Sequence, residues 1–340
     1  MMNRRASLIG LLIVALLALA CGMLNLPLPV VVSPTVTLTS TSTHTPTATA
    51  TPTETPSPTI SPSPTPSPHA TRVLILSIDG LRPDAISLAP MPNLLGLMQN
   101  AAYSLNAQTV FPSVTLIAHA SMLTGMCPSK HGVDWNDYLP EKGYAKGTDL
   151  FDLAHAAGLQ TVMYVGKEKL RQITEPSSTD VFAFINDRDL VITAHLLENF
   201  PQDFGVLFIH FPTPDWMGHL YGWLSPQQIS VIQRADEALG QILAELDGRG
   251  LREETLIIVT ADHGGHDTTH GSSMPEDMTI PWIASGPGIQ PGQLTTPIHV
   301  MDTAATAAFV LGLSIPPEWD GVPVYEVFGL PVERQSVQCQ

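Results

Sequence analysis

The fold is decided by the stretch VLILSIDG, at residues 73–80, in which an apolar run ends abruptly at Asp79. Two later stretches have the same form: VLFIHFPTPD at residues 206–215 and LIIVTADHGG at residues 256–265. Short apolar runs rich in Val and Ile are typical of strands buried on both faces of a sheet. A charged residue at the exit of such a strand has no packing role, and ligands bind beyond the carboxyl ends of strands in open α/β sheets. The three stretches therefore predict a metal-dependent enzyme.

The rest of the chain alternates strand-like and helix-like patterns. Apolar runs predict strands at 72–78, 159–166, 206–210 and 255–260. Apolar residues at helical spacing predict helices at 92–100, 115–123, 148–158, 187–199, 226–246 and 301–311. Strands that alternate with helices predict an α/β fold with a mainly parallel central sheet and helices on both faces. Residues 71–340 are long enough for one large catalytic domain of this class.

The N-terminal residues have the pattern of an export signal followed by a tether. Residues 1–21 combine two arginines with an apolar run shorter than the roughly 20 residues of a membrane-spanning helix. Cys21 follows small residues, as in bacterial lipoprotein signals, although Ala18 stands where those signals usually have Leu. Simple cleavage after Ala20 is the competing interpretation. Residues 22–70, rich in Ser, Thr and Pro, predict a disordered linker. We therefore expect an exported lipoprotein, acylated at Cys21 and anchored on the outer face of the cytoplasmic membrane or the cell surface.

The charge and the cysteines restrict the partners of the protein. The net charge is −16, and no basic stripe is present to neutralise a phosphate backbone, so we expect no nucleic-acid polymer as a partner. A small anionic substrate is compatible with this charge if metal ions hold it. Besides Cys21 only Cys127 and Cys339 remain. One disulfide is conceivable in an exported protein, but the count does not establish it.

Six Asp and His residues on four separated motifs form a candidate metal site: Asp79, Asp215, His219, Asp262, His263 and His270. Asp215 and His219 would point the same way on a helical turn. Asp262 and His263 leave a strand into Gly264-Gly265, where we expect a sharp turn of the backbone. Mixed carboxylate and imidazole ligands suit zinc, with manganese or iron less favoured. Six ligands divide into two sites of three, and two such metal ions can clamp the attacking and leaving oxygens of a phosphoryl displacement.

Together with FPSVTLIAHASMLTG at residues 111–125, these motifs resemble the alkaline phosphatase superfamily. Within it they resemble the type I phosphodiesterase / nucleotide pyrophosphatase family, in the order of that family's motifs and over nearly all of residues 72–325. The resemblance implies an alkaline phosphatase-like fold and two zinc ions. It also implies that one metal ion, which binds the nucleophile, is held by Asp79, Asp262 and His263, and the second by Asp215, His219 and His270.

The same resemblance implies that Thr115 is the nucleophile and that Asn136 contacts a non-bridging phosphate oxygen. A Thr at the N-terminus of a helix has backbone N–H groups and a favourable dipole beside it for a phosphate oxygen. His266 competes with His270 as the sixth ligand, and we favour His270 because the sequence after it matches the family. We expect His119 to pack and form hydrogen bonds rather than bind metal. Lys167 follows a predicted strand and could approach the substrate, although we do not favour that interpretation.

These residues predict a hydrolase that cleaves phosphodiester or pyrophosphate bonds through a covalent phospho-threonine intermediate. The alternatives are a phosphomonoesterase or phosphonate hydrolase on the same fold, or a catalytically degenerate, metal-binding surface lipoprotein. A sulfatase is disfavoured because Thr115 stands where formylglycine would be generated. We expect a small phosphodiester or nucleotide-like substrate, with diesters preferred, because no added cationic group can be placed near Thr115. Aromatic residues near the motifs are available to the second ester group: Phe111, Trp135, Tyr138 and Trp216.

Overall fold

The computed structural model describes residues 70–332 and Cys339. The predicted signal segment with Cys21, and the predicted linker up to residue 69, lie outside these described residues. Among the described helices, none combines the length and the apolar character needed to cross a membrane. The catalytic domain predicted for residues 71–340 is therefore described except for residues 333–338 and residue 340.

The described part of the chain contains one sheet of eight strands, numbered in chain order: β1 (Arg72–Ile78), β2 (Ala102–Gln108), β3 (Gln160–Val165), β4 (Val181–Phe184), β5 (Phe204–Phe211), β6 (Thr255–Thr260), β7 (Thr279–Ser285) and β8 (Gly292–Gln293). Across the sheet they follow the order β4-β3-β5-β1-β6-β7-β2-β8. The first five strands in this order pair in parallel. Strand β7 pairs antiparallel with both β6 and β2. The predicted mainly parallel sheet is confirmed, and its antiparallel side was not predicted.

Strand β1 lies at the centre of the sheet, between β5 and β6, and is buried from Val73 to Ile78. Ser77 pairs with His210 of β5 and with Thr260 of β6, so the carboxyl ends of these three strands are level. The backbone N–H of Asp79 extends the pairing by donating to the carbonyl oxygen of Phe211 at 3.0 Å. Because the register aligns the three exits, the polar segments that follow these strands begin side by side.

Ten helices are described: α1 (Pro83–Leu88), α2 (Pro92–Met98), α3 (Thr115–Thr124), α4 (Pro128–His131), α5 (Leu150–Ala156), α6 (Asp189–Glu198), α7 (Thr213–Tyr221), α8 (Pro226–Gly248), α9 (Pro275–Met278) and α10 (Asp302–Val310). The long helix α8 packs against α2, α6 and α7, whereas α10 packs against α3 and α5. Short 3-10 turns occur at Pro140–Lys142, Glu168–Gln172, Pro176–Ser178, Arg252–Glu254 and Tyr325–Phe328. The two groups of helices cover the sheet as an α/β fold requires.

Hydrogen bonds from α6 and α8 hold the start of helix α7 and the loop that follows the helix. At its start, Thr213 donates from its backbone N–H (3.1 Å) and its hydroxyl (2.6 Å) to Asp189 Oδ1 of α6. From α8, the side-chain amide of Gln228 donates to the carbonyl oxygen of Pro214 at 3.1 Å and accepts from the N–H of Leu224 at 2.6 Å. These contacts fix the segment that contains Asp215.

A disulfide joins Cys127 to Cys339, whose Cα atoms lie 5.4 Å apart. Cys127 is the residue before α4, and 212 positions separate the two cysteines along the chain. The count of cysteines left this pairing open, and the fold decides it by bringing both residues to one place.

Candidate active site

The exits of β1 and β6 bring together the first group of candidate metal ligands. Asp79 follows β1 and the pair Asp262-His263 follows β6, and all three side chains are fully buried. His263 Nε2 lies 3.4 Å from Asp79 Oδ1 and 3.2 Å from Asp262 Oδ2. Three ligand atoms of the three residues lie within 4.8 Å of one another, a geometry that fits one metal ion.

A second group forms around helix α7. Asp215 and His219 lie one turn apart on α7, and His270 reaches the same place from the segment between β6 and α9. Asp215 Oδ1 lies 3.4 Å from His219 Nε2 and 3.5 Å from His270 Nε2. The structure thus brings the six predicted residues into the two groups of three that the sequence analysis expected.

The atoms left without partners in these groups are the ones a metal ion would use. Four of them are buried and lack a hydrogen-bond partner: Asp79 Oδ1, Asp262 Oδ2, His263 Nε2 and Asp215 Oδ1. Buried polar atoms are otherwise nearly always paired, and leaving each one unpaired costs about 1–3 kcal/mol. Because the unpaired atoms converge in the two groups, the residues present fit two metal ions.

The three candidate imidazoles are oriented by backbone carbonyls. The Nδ1 atom of each ring lies at hydrogen-bond distance from a carbonyl oxygen: 2.8 Å from Gly264 for His263, 3.0 Å from Thr268 for His219, and 2.8 Å from Ser113 for His270. Since a carbonyl only accepts, Nδ1 carries the hydrogen and the lone pair of Nε2 faces the site. This arrangement is typical of metal-binding histidines.

Burial and neighbouring charges together set the pKa values of the candidate ligands. Burial, followed by the neighbouring Asp79 carboxylate, raises the pKa of Asp262 well above its usual value. Burial also acts to raise the pKa of Asp79, but Lys167 and His210 outweigh it and hold that pKa well below the usual value. Burial lowers the pKa of His263, and burial together with His263 lowers the pKa of His270 to about 4. Both imidazoles are therefore neutral near pH 7, the form that binds metal.

Two positions next to the candidate ligands, Gly80 and Gly264, require glycine for different reasons. Gly80 follows Asp79 with a φ of +73°, a left-handed conformation that favours glycine. Gly264 and Gly265 do not form the predicted sharp turn. Instead they run alongside α9, where the N–H groups of Gly264 and Gly265 donate to the carbonyls of Asp277 (2.9 Å) and Glu276 (2.8 Å). A Cβ on Gly264 would collide with the Glu276 carbonyl, so close packing is the reason for glycine there.

Thr115 is the first residue of α3, and its side chain is 1% exposed. The preceding residue, Val114, gives no side-chain cap, so the N–H groups of Thr115 and Ile117 have no acceptor among the described residues and are available to an anion. Asn136 Oδ1 accepts a hydrogen bond from the N–H of Leu116 at 2.9 Å, which holds the Asn136 side chain beside this turn. Among the described residues, no acceptor forms a hydrogen bond with Nδ2 of Asn136. The predicted nucleophile and phosphate contact thus lie at the same helix terminus.

Lys167 connects Thr115 to both metal-ligand groups. Its Nζ donates to Thr115 Oγ1 at 3.2 Å and to Asp215 Oδ2 at 2.6 Å, and it lies 2.6 Å from Asp79 Oδ2. The side chain is only 11% exposed. The sequence analysis found no cation to place near Thr115. That expectation is wrong, because the exit of β3 brings the Lys167 ammonium to the predicted nucleophile.

Two histidines support the site without belonging to either group. His210 Nδ1 accepts from the N–H of Gly166 at 3.3 Å, so its Nε2 carries the hydrogen and donates to Asp79 Oδ2 at 2.8 Å. His119 bridges the Thr115 carbonyl (2.7 Å) and the Ser77 hydroxyl (2.8 Å), in agreement with the expected hydrogen-bonding role. The sequence analysis did not single out His210, although an imidazole within the apolar run FIHF was a signal for it.

The structure separates His266 from the ligand groups. Its Nδ1 lies 2.7 Å from Asp277 Oδ1, and this hydrogen bond raises the pKa of His266. His270, by contrast, stacks on His263 with 3.7 Å between the ring centroids. The geometry therefore favours His270 as the sixth ligand, as the sequence analysis did.

The four aromatic residues predicted to contact the substrate differ in solvent exposure and in the contacts they already make. Phe111 is 55% exposed and Tyr138 is 36% exposed, while Trp216 is half-buried. Trp135 packs against the core, its indole N–H donates to Gln172 Oε1 at 3.3 Å, and Lys142 lies over its ring at 5.2 Å. Trp135 is therefore already engaged by the protein, and a substrate contact of the other three stays a prediction.

The sequence of this chain is similar to a known protein family and to several curated proteins. Residues 73–279 match the family described as Type I phosphodiesterase / nucleotide pyrophosphatase. The human GPI ethanolamine phosphate transferase 2, catalytic subunit, is 30% identical over 289 residues, which cover 78% of this chain and 29% of that protein. The chain spans 25% to 47% of the length of seven further curated relatives that are 24% to 27% identical to it, such as 47% of the Xenopus laevis bis(5'-adenosyl)-triphosphatase enpp4.

Solved structures show the same fold. Murine ectonucleotide pyrophosphatase / phosphodiesterase 5 superposes with a TM-score of 0.65 at 17% identity, covering 76% of this chain and 99% of that chain. The alkaline phosphatase PafA superposes with a TM-score of 0.64 at 14% identity, covering 77% of this chain and 99% of that chain. The predicted alkaline phosphatase-like fold is confirmed.

Proposed function

The chain belongs to the type I phosphodiesterase / nucleotide pyrophosphatase family, and on that premise we propose that it is a two-zinc hydrolase of phosphoric ester or anhydride bonds that works through a covalent phospho-threonine. One observation carries the proposal. The Thr115 hydroxyl lies one hydrogen bond from Lys167 Nζ, which itself contacts one carboxylate of each candidate ligand group. A nucleophile, a cation and two convergent sets of unpaired ligand atoms therefore meet at one point.

The ligand chemistry favours zinc over other metals. Each group combines carboxylate and imidazole donors, with three protein ligands and room for a further one, as in catalytic zinc sites. Asp79, Asp262 and His263 would hold one ion, and Asp215, His219 and His270 the other. When bound, these ions would supply Lewis acidity to the phosphoryl group, to the nucleophile and to water.

The protein residues have separate parts in the reaction. Thr115 Oγ1 forms the new bond to phosphorus while the bond from phosphorus to the leaving oxygen breaks. Asn136 Nδ2 and the N–H groups of Thr115 and Ile117 in the first turn of α3 would orient a non-bridging oxygen. Water then attacks the phosphorus, the bond to Thr115 Oγ1 breaks, and the hydroxyl recovers a proton. Burial of Thr115 keeps bulk solvent from the nucleophile.

The relatives support a small nucleotide-like substrate. An inactive threonine-to-alanine form of murine ectonucleotide pyrophosphatase / phosphodiesterase 5 has been solved in complex with AMP. In that protein the inactivating change is thus at a threonine, the residue type that stands at position 115 here. The export signal predicted in residues 1–21 supports an exported lipoprotein, tethered through acylated Cys21 and the linker.

The test is a panel of chromogenic phosphodiester, phosphomonoester, phosphonate and sulfate substrates, assayed with zinc. We expect turnover of phosphate esters, its loss on chelation, and its recovery when zinc is returned. Turnover confined to sulfate esters would replace the proposal by a sulfatase. No turnover of any substrate by a protein loaded with two zinc ions would favour the degenerate metal-binding lipoprotein.

A further inference from the structure

Lys167 occupies a position that a cation can keep while both metal-ligand groups are filled. It contacts the Oδ2 atoms of Asp79 and Asp215, whereas the atoms that lack partners are the Oδ1 atoms of the same carboxylates. Each carboxylate thus has one oxygen for the ammonium and one for a metal ion. Lys167 therefore belongs to the assembled site, and its contact with Thr115 does not depend on taking the place of a metal ion.

Lys169 is a second lysine in the segment that follows β3. Lys167 immediately precedes the 3-10 turn Glu168–Gln172, which contains Lys169, and the Lys169 residue is half-buried. Burial, followed by the positive charge of Lys167, lowers the pKa of Lys169, and the carboxylates of Asp79 and Asp215 oppose that effect. Among the described residues no carboxylate lies within ion-pair distance of it.

The position of Lys167 relative to the reaction follows from its distance to Thr115. In a phosphoryl group attached to Thr115 Oγ1, the non-bridging oxygens lie one bond beyond phosphorus. An ammonium 3.2 Å from Oγ1 is therefore within reach of one of them. Such a contact is charge-assisted, and it strengthens as negative charge collects on that oxygen.

We propose that Lys167 forms a fixed cationic subsite for a non-bridging phosphate oxygen and makes the enzyme prefer a terminal, dianionic phosphate over a diester. This rests on the proposed two-metal function of Thr115. A terminal phosphate carries one more negative charge than a diester and a third non-bridging oxygen. Asn136 and the metal ions would serve two oxygens, and Lys167 serves the third. The preference is opposite to the diester preference expected from the sequence.

The reaction at this subsite balances with water as the only co-reactant. Thr115 Oγ1 bonds to the terminal phosphorus, the ester or anhydride oxygen leaves, and a proton from the Thr115 hydroxyl passes to solvent or to the leaving oxygen. Water then breaks the bond between Oγ1 and phosphorus and releases inorganic phosphate. With a diester, one oxygen near Lys167 would be alkylated and could not accept the same charge-assisted contact.

The test compares kcat/KM for p-nitrophenyl phosphate with kcat/KM for methyl p-nitrophenyl phosphate, using protein loaded with zinc. We expect the wild type to favour the monoester by more than about tenfold. Lys167→Met keeps a flexible side chain of similar length but removes the charge. It should lower kcat/KM for the monoester by about tenfold or more and kcat/KM for the diester by less than about threefold. It should also weaken competitive inhibition by inorganic phosphate.

Two further variants make the result decisive. Lys146→Met is the matched control, because Lys146 is exposed and has no ion pair within the described part of the chain, and it should leave both substrates unchanged. Lys169→Met removes a neighbouring charge that makes no contact with Thr115 among the described residues, so it should shift the preference less than Lys167→Met does. Zinc content is measured on every variant, and if Lys167→Met loses zinc, the substrate preference of the wild type and its inhibition by inorganic phosphate decide the question.

The possible failures are distinguishable. If Lys167→Met lowers kcat/KM for both substrates by the same factor, the cationic subsite is wrong while the two-metal function stands. A wild type that prefers the diester also overturns the subsite. If the wild type hydrolyses neither substrate, or if Thr115→Ala hydrolyses both as well as the wild type does, the proposed function itself fails.

Discussion

Replacing Thr115 by alanine tests the covalent mechanism with little damage to the fold. The change removes one buried methyl group, about 1 kcal/mol, and one hydrogen bond from Lys167, about 1 kcal/mol. The expected loss of unfolding free energy is thus about 2 kcal/mol, which lowers Tm by roughly 4–8 °C in a domain of this size. Without Oγ1 no covalent intermediate forms, so we expect kcat to fall by a factor on the order of 10⁴–10⁶.

The matched control is Thr124→Ala at the other end of α3. Thr124 is also fully buried, and its hydroxyl donates to the Ala120 carbonyl at 2.7 Å. It should lose a similar amount of stability while its kcat stays within a factor of about two of the wild-type value, since it contacts neither metal-ligand group. Thr115→Ser keeps the hydroxyl and should retain a measurable fraction of the activity.

The assay is kcat on a chromogenic phosphate ester at a temperature well below the Tm of every variant, with zinc content and circular dichroism recorded for each. Thr115→Ala should retain two zinc ions per chain and a folded spectrum. The reasoning is refuted if this variant turns over within about tenfold of the wild type. It is also refuted if Thr124→Ala loses as much activity as Thr115→Ala.

Three more predictions follow from other parts of the chain. His270→Ala should lower bound zinc from about two to about one per chain, whereas His266→Ala should leave it at about two; the reverse order by elemental analysis would reassign the sixth ligand. Burial, followed by the charge of Asp152, raises the pKa of Asp149 to about 7 from 3.8, so the folded state holds the proton more tightly. As pH rises from about 4 to about 7, the unfolding free energy of the wild type should therefore fall by up to about 4 kcal/mol relative to that of Asp149→Asn. Urea unfolding of both proteins at pH 5 and pH 8 measures this difference in unfolding free energy, and a difference that is the same at both pH values would contradict the prediction. Cys21→Ser should release the protein from the membrane fraction or block its processing, and recovery of wild-type protein in soluble, unlipidated form would indicate simple secretion instead.

The strands that position the site could be predicted because their local sequence is sufficient. Strands β1, β3, β5 and β6 are buried on both faces, so each is a nearly continuous apolar run that ends at a turn residue. Strand β7 was missed because Pro281 interrupts it, and proline is unusual inside a sheet. Pro281 has no N–H to donate, and it lies opposite the stretch of β2 between Ser104 and Ala107 where the regular pairing of the two strands is interrupted. No local pattern in either strand reveals that match.

The sequence by itself determined the α/β class, the family and the six candidate ligands, because each motif carries its ligands in a fixed local spacing. It could not determine the role of Lys167, because nothing within VGKEKLR specifies what lies beyond the end of β3. The sheet order decides that, since Val165 pairs with His210 of β5 and β5 lies next to β1. The exit of β3 is therefore level with Asp79, and the ammonium of the second residue after the strand reaches Thr115 across 52 positions of sequence. A contact between residues so far apart depends on how the strands are ordered, and only the tertiary structure supplies that order.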